Sequence, residues 1–199
     1  MSGGTLSKLM GNPNVRNSQV WEKIVVRVVY DVVRALYFVH SQGYVHLDVK
    51  PHNVFFTKYP GDVGEEVYNN LVNGNTQVKL GDLGSAVKVG NPVTQLTLEY
   101  CPPEQLVNPA HPSMDIYAVG SMAYALLTGK YFNDVTLVNK AFSELSTPAF
   151  QNTYNELLKK VTEKWASLPD DGLMGVIKKM LNPDPAQRPT ASEVANMLY

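Results

Sequence analysis

Between Tyr44 and Phe56 the chain reads YVHLDVKPHNVFF, which places His46, Asp48, Lys50 and Asn53 within eight residues and then runs into apolar ones. Polar side chains this dense beside an apolar strand point to chemistry more than to packing. Moving a phosphoryl group onto a hydroxyl asks for few groups. A carboxylate must orient the hydroxyl and accept its proton, and a cation should offset charge on the transferring group. A second carboxylate and an amide must hold Mg²⁺. Asp48 suits the base, Lys50 the cation and Asn53 the amide ligand. The competing explanation is a polar turn in which Asp48 caps a backbone group.

The spacing His-x-Asp, with Asn five residues after the Asp, is that of the protein kinase catalytic loop, and HLDVKPHN resembles that family. Three further stretches extend the resemblance in the right order. In VKLGDLG, Asp82-Leu83-Gly84 is similar to the metal-binding Asp-Phe-Gly, with Leu for Phe. By itself an Asp-Leu-Gly is a common turn. TLEYCPPEQL resembles the end of the activation segment, with Pro102-Pro103-Glu104 in place of Ala-Pro-Glu. Finally, SMDIYAVG resembles the start of the central buried helix, Asp-x-Trp-Ser-x-Gly, running from Asp115 to Gly120.

The resemblance implies roles. Asp48, Lys50 and Asn53 form the catalytic set. Asn53 and Asp82 hold the metal. Lys50, Phe55 and Asp82 meet the nucleotide, with Phe55 and Leu6 as a floor for adenine. His46 braces the loop, with Leu83 packed against it. Thr97 contacts Asp48 and Lys50, and with Lys50 it points to the serine/threonine branch. Glu104, a buried carboxylate in need of a partner, pairs with Arg188, whose guanidinium fits a carboxylate bidentately. Asp115 accepts backbone N–H bonds from the catalytic loop, or else is an ordinary helix cap. The implied fold is mainly α, the helical C-terminal lobe of the family, with a short β-hairpin carrying the catalytic and metal-binding loops. The implied cofactors are ATP and Mg²⁺, and the implied partner is a protein substrate.

The elements that must position these residues follow from pattern. Residues 1–17 are polar, with a short helix around Leu6–Met10, and the resemblance makes them the segment after the hinge. Val20, Ile24, Val28, Val32, Leu36 and Val39 recur at helical spacing, which predicts a long helix over 20–42. Asn17 or Ser18 would cap it and Gly43 would end it. Strands are expected at Val54–Phe56 and Gln77–Leu80. Between them, 57–76 reads as a turn-rich insertion with net negative charge. Residues 84–113 hold almost no periodicity, and the activation segment is placed at 82–104. Met114–Thr128 is nearly all apolar, so it should be a helix buried on all sides. Helices at Phe150–Trp165, Gly172–Met180 and Ala191–Leu198 complete one domain over 1–199.

Composition narrows the classes. Seventeen basic and 18 acidic side chains give a net charge of −1, which offers no general pull toward nucleic acid or a membrane surface. The single cysteine, Cys101, excludes an intramolecular disulfide and a multi-Cys zinc site. His40 and His111 lack a second ligand at metal spacing. His52 fits no family role and is expected to be exposed. Trp21, Tyr117, Tyr124 and Trp165 read as packing residues. The absence of an N-terminal apolar core region and of a long apolar run points to the cytoplasm.

The resemblance also has gaps. There is no G-x-G-x-x-G and no strand lysine of the Val-Ala-Ile-Lys type, so only the large lobe is expected, with a separate small lobe or another kinase as partner. Leu47 replaces the Arg that commonly receives a phosphorylated activation loop, which weakens the case for Thr94 as a phosphosite. Two other functions compete. A non-catalytic kinase mimic has no physical need for the intact polar set. A small-molecule kinase of the aminoglycoside or choline type is not expected to carry Lys50, the Pro-Pro-Glu segment or Arg188.

Overall fold

The computed structural model of the chain describes residues 2–198. Two short helices come first, α1 (Leu6–Met10) and α2 (Pro13–Arg16), capped by the side chains of Thr5 and Asn12. Helix α3 (Trp21–Ser41) buries Trp21, Ile24, Val25, Val28, Val29, Val32, Val33 and Leu36 along one stripe. Its β-branched content is unfavourable for an isolated helix, and burial of that stripe overrides the propensity. Neither Asn17 nor Ser18 caps it: the helix starts after Val20 with no side-chain cap. Ser18 is instead turned toward Gly64, where an added Cβ would lie 2.0 Å from its Oγ. Gly43, at φ +82, ends the helix.

Strands β1 (Tyr44–Val45) and β2 (Val54–Phe56) flank the polar loop. The segment expected to be turns holds a helix, α4 (Gly64–Val72), before β3 (Val78–Leu80). Its signal was short: only Val67 and Leu71, four residues apart, are buried besides Gly64, and Asn and Gly on either side hid the period. Strand β3 pairs antiparallel with β2, Val54 opposite Leu80 and Phe56 opposite Val78. A strand that periodicity did not reveal, β4 (Val87–Lys88), pairs with β1.

Helix α5 (Pro112–Thr128) buries 13 of its 17 residues, and so behaves as a helix surrounded by protein. His111 caps it, its side chain accepting from Ser113 N. Asp115 is therefore free for another task. The chain closes with α6 (Val135–Ser143), α7 (Phe150–Ala166), α8 (Gly172–Met180) and α9 (Ala191–Met197). Helix α5 packs on α3 and α8, and α9 packs on α3. At Gly120 a Cβ would come within 2.8 Å of Met180 Cβ, so the α5–α8 approach requires glycine. Trp21 and Trp165 both sit against this core, each ring N–H donating to a backbone carbonyl, of Leu126 and Lys178, at 2.8 Å.

Helix α6 also escaped the sequence pattern, although Asp134 caps it, accepting from Leu137 N at 3.1 Å. That bond, with Lys160 nearby, holds the Asp134 carboxyl below its ordinary pKa. A depressed carboxylate contributes stability above its unfolded pKa and loses it as pH falls through the folded value. Asp134→Ala should destabilise the protein by about 1 kcal/mol at neutral pH in urea titrations. The difference between variant and wild type should shrink as pH drops below about 4.

Candidate active site

The polar loop hangs between β1 and β2, and α5 holds it from beneath. Asp115 is 1% exposed. Its Oδ2 accepts from His46 N at 2.8 Å, and its Oδ1 accepts from Leu47 N, also at 2.8 Å. His40 Nε2 on α3 lies 2.8 Å from Oδ2. A buried carboxylate is tolerable only with such donors. Leu47 itself sits at φ +68, a left-handed conformation that opposes a branched side chain by about 1–2 kcal/mol. The bond to Asp115 and burial with Val45, Ala110 and Met114 offset that strain.

His46 is fully buried and braces the loop from inside. Its Nδ1 accepts from Asp48 N at 3.1 Å, and its Nε2 donates to Gly81 O at 2.7 Å. This ties the polar loop to the turn after β3. The β2–β3 register sets the same juxtaposition: Gly81 N donates to Asn53 O at 2.8 Å. Asn53 and the residue before Asp82 therefore face one another directly.

Asp48 is 2% exposed and meets four side chains, three through hydrogen bonds and Lys50 through an ion pair. Thr97 Oγ1 donates to its Oδ1 at 2.6 Å, and Lys50 Nζ lies 3.5 Å from the same oxygen. Asn53 Nδ2 donates to Oδ2 at 2.9 Å and also to the Asp48 carbonyl at 2.7 Å. Both Asn53 amide hydrogens are thus engaged, which leaves its Oδ1 for a cation. The third hydrogen-bond donor had no signal in the sequence: Gln95 Nε2 reaches Oδ2 at 2.8 Å. Gln105, likewise unanticipated, is buried and donates to Gln95 O at 2.9 Å.

Asp82 is exposed, in a left-handed conformation (φ +56, ψ +65). Its carboxylate has no hydrogen bond or ion pair among the described residues. The turn it makes sends Leu83 outward, 59% exposed. Leu83 therefore does not pack on His46, whose ring faces Gly81 O instead. Phe55 is half-buried beside Gly81. Leu6 is fully buried in the core, so it has no face to offer adenine. His52 is exposed as expected, its Nε2 3.2 Å from Ser7 Oγ.

Arg188 and Glu104 meet as a fork. Arg188 Nη1 and Nη2 donate to Glu104 Oε2 and Oε1 at 2.8 and 2.9 Å. The guanidinium also donates to Asn182 O and Ser113 O, and stacks 4.9 Å from the Tyr117 ring centre. Tyr117 OH donates to Asn133 Oδ1 at 2.6 Å, and Asn133 Nδ2 donates to Leu98 O and Cys101 O. This network pins the segment carrying Thr97 to the core of α5. Burial pushes the Cys101 thiol up to about 12, which leaves it a packing group.

A model of the protein kinase domain matches residues 1–199. The serine/threonine-protein kinase ArnS of Sulfolobus acidocaldarius is 38% identical over 211 residues, covering 100% of this chain and 34% of the relative. The Wee1-like protein kinase 2-A of Xenopus laevis is 24% identical over 98% of the chain and 33% of its own length. An Aurora kinase of Candida albicans is 26% identical over 84% of the chain and 31% of its own length. The chain thus spans about a third of the length of these curated relatives.

Two substitutions probe the supports. Asp115→Ala leaves two buried N–H groups without acceptors and should destabilise the protein by about 3 kcal/mol or more, read from urea unfolding. Glu104→Ala strands a buried guanidinium and should cost about 3–5 kcal/mol. Glu104→Ala combined with Arg188→Met should cost clearly less than the sum of the two single changes in a double-mutant cycle.

Proposed function

Because the chain belongs to the protein kinase family, we propose that it is the large lobe of a serine/threonine protein kinase, passing the γ-phosphoryl group of ATP to a protein hydroxyl. The observation that carries this is the set of contacts around Asp48. A nearly buried carboxylate is oriented by Asn53 and Thr97 and has Lys50 within 3.5 Å. In this reading Asp48 orients the acceptor hydroxyl and takes its proton. Lys50 offsets charge on the transferring phosphoryl, and Thr97 links the two by accepting from Lys50 Nζ at 3.4 Å. That link supports the serine/threonine branch.

The donor set suits Mg²⁺. Asn53 Oδ1 and the unpartnered Asp82 carboxylate are hard oxygen ligands on adjoining turns. No group of three or more His, Cys, Asp or Glu among the described residues could hold a metal alone. A Mg²⁺ at this site would thus rest on one amide, one carboxylate and the nucleotide's phosphates. When bound, it would neutralise charge on those phosphates. Phe55, beside Gly81, would lie under the base of the nucleotide. His46, Glu104, Asp115 and Arg188 act as positioning residues.

The same reading assigns 1–17 to the segment after the hinge, 57–76 to an insertion, and 82–104 to the activation segment. A glycine-rich loop and its lysine clamp would come from a separate small lobe or a partner kinase. No helix among the described residues is long and apolar enough to cross a membrane. The cytoplasm, where ATP is supplied and a lone thiol stays reduced, is the proposed compartment.

Asp48→Asn keeps the shape and removes the base. In the complete gene product, or with a small lobe supplied, it should lower phosphotransfer from ATP–Mg²⁺ to casein by roughly 10²–10⁴-fold. Transfer at the wild-type rate would overturn the assignment and favour a regulatory mimic.

A further inference from the structure

The base is closely surrounded. A carboxylate offers about four lone-pair positions, two on each oxygen; Asn53 and Gln95 fill both at Oδ2, while Oδ1 has the hydrogen bond from Thr97 and the Lys50 ammonium 3.5 Å away. A substrate hydroxyl must come within about 2.6–3.2 Å of one of those oxygens to surrender its proton. A hydroxyl that approaches Oδ2 has to displace one of its two donors. Lys50, Thr97 and Asn53 each serve another part of the site. Gln95 touches the chemistry only through its single amide bond to Oδ2.

We propose that Gln95 is a side-chain gate on the catalytic base, closed over Asp48 until the hydroxyl of a docked protein substrate displaces its amide. Its placement suits such a gate. Gln95 is half-buried in a stretch without helix or strand. Its backbone is tethered, because buried Gln105 donates to Gln95 O at 2.9 Å and to Leu47 O at 3.4 Å. The side chain can therefore rotate off Asp48 while the segment stays in place. A neutral amide on a charged acceptor is the right strength for a gate, strong enough to stay shut and weak enough for a docked hydroxyl to replace.

The gate selects the acceptor. With it open and no protein substrate present, water takes the substrate's place. Asp48 accepts a proton from water as the water oxygen bonds to the γ-phosphorus. The bond from that phosphorus to the β–γ bridging oxygen breaks, ADP leaves with its electron pair, and the proton passes from Asp48 to solvent. A closed gate denies water the base and spares ATP. A docked protein hydroxyl, held by the rest of its chain, displaces the amide where free water does not.

The inference rests on the reading of Asp48 as the base, and the test separates the two. Gln95→Ala and Gln95→Leu, made in the complete gene product, should raise casein-independent ATP hydrolysis roughly tenfold, while transfer to casein rises by less. Unchanged hydrolysis, or hydrolysis and transfer falling together, would overturn the gate. If Asp48→Asn matches wild type in both reactions, the kinase reading fails and takes the gate with it. A second measurement needs no turnover. In ¹⁵N-labelled protein, the Gln95 side-chain amide resonance should move to its free position in Asp48→Ala. Excess serine peptide added to wild type should shift it the same way. An amide resonance indifferent to Asp48→Ala would refute the contact, and one that ignores saturating peptide would refute its displacement.

Discussion

The site depends on one buried carboxylate. Asp115, near the start of α5, takes the backbone N–H groups of His46 and Leu47 on its two oxygens, and His40 from α3 closes the arrangement. The polar loop is otherwise a short connection between two small strands. It includes a leucine in a conformation that leucine disfavours. Nothing local would hold that shape. The carboxylate can hold it because α5 is almost wholly buried and cannot shift to relieve strain. The stiffness of the helical core is thereby passed to Asp48, two residues beyond His46.

A second set of polar contacts steadies the segment that faces the loop. The Arg188–Glu104 fork, the Tyr117–Asn133 bond and the Gln105 amide run from α5 and the turn before α9 to the carbonyls around Thr97 and Gln95. Such contacts are strong in a low-dielectric interior only when every member is satisfied. Here the guanidinium uses four of its five N–H groups on protein acceptors. At Leu47 the joint between loop and segment is apolar instead: Val93 and Val87 pack against Leu47, Val45 and Met114. Where an arginine would recruit a phosphate, this chain closes the gap by packing.

Spacing and composition alone settled a good deal. The eight residues from His46 to Asn53, Asp82 behind a strand, Glu104 with a distant Arg188, and the apolar run after Met114 announced the family before any contact was visible. Helix α3 was readable because its apolar period holds for several turns, and α5 because almost every position in it is apolar. The short elements α4, α6 and β4 were not readable: α4 and α6 bury three residues each and β4 buries none, too few to establish a period. The outward turn of Leu83, the withdrawal of Leu6 into the core, and the contact of Gln95 with Asp48 were decided only by tertiary structure. Each depends on where a backbone turn sends a side chain, or on which distant carbonyl a buried amide meets. Residue type along a line carries no record of such distances, whereas covalent spacing within one loop is carried by the sequence itself.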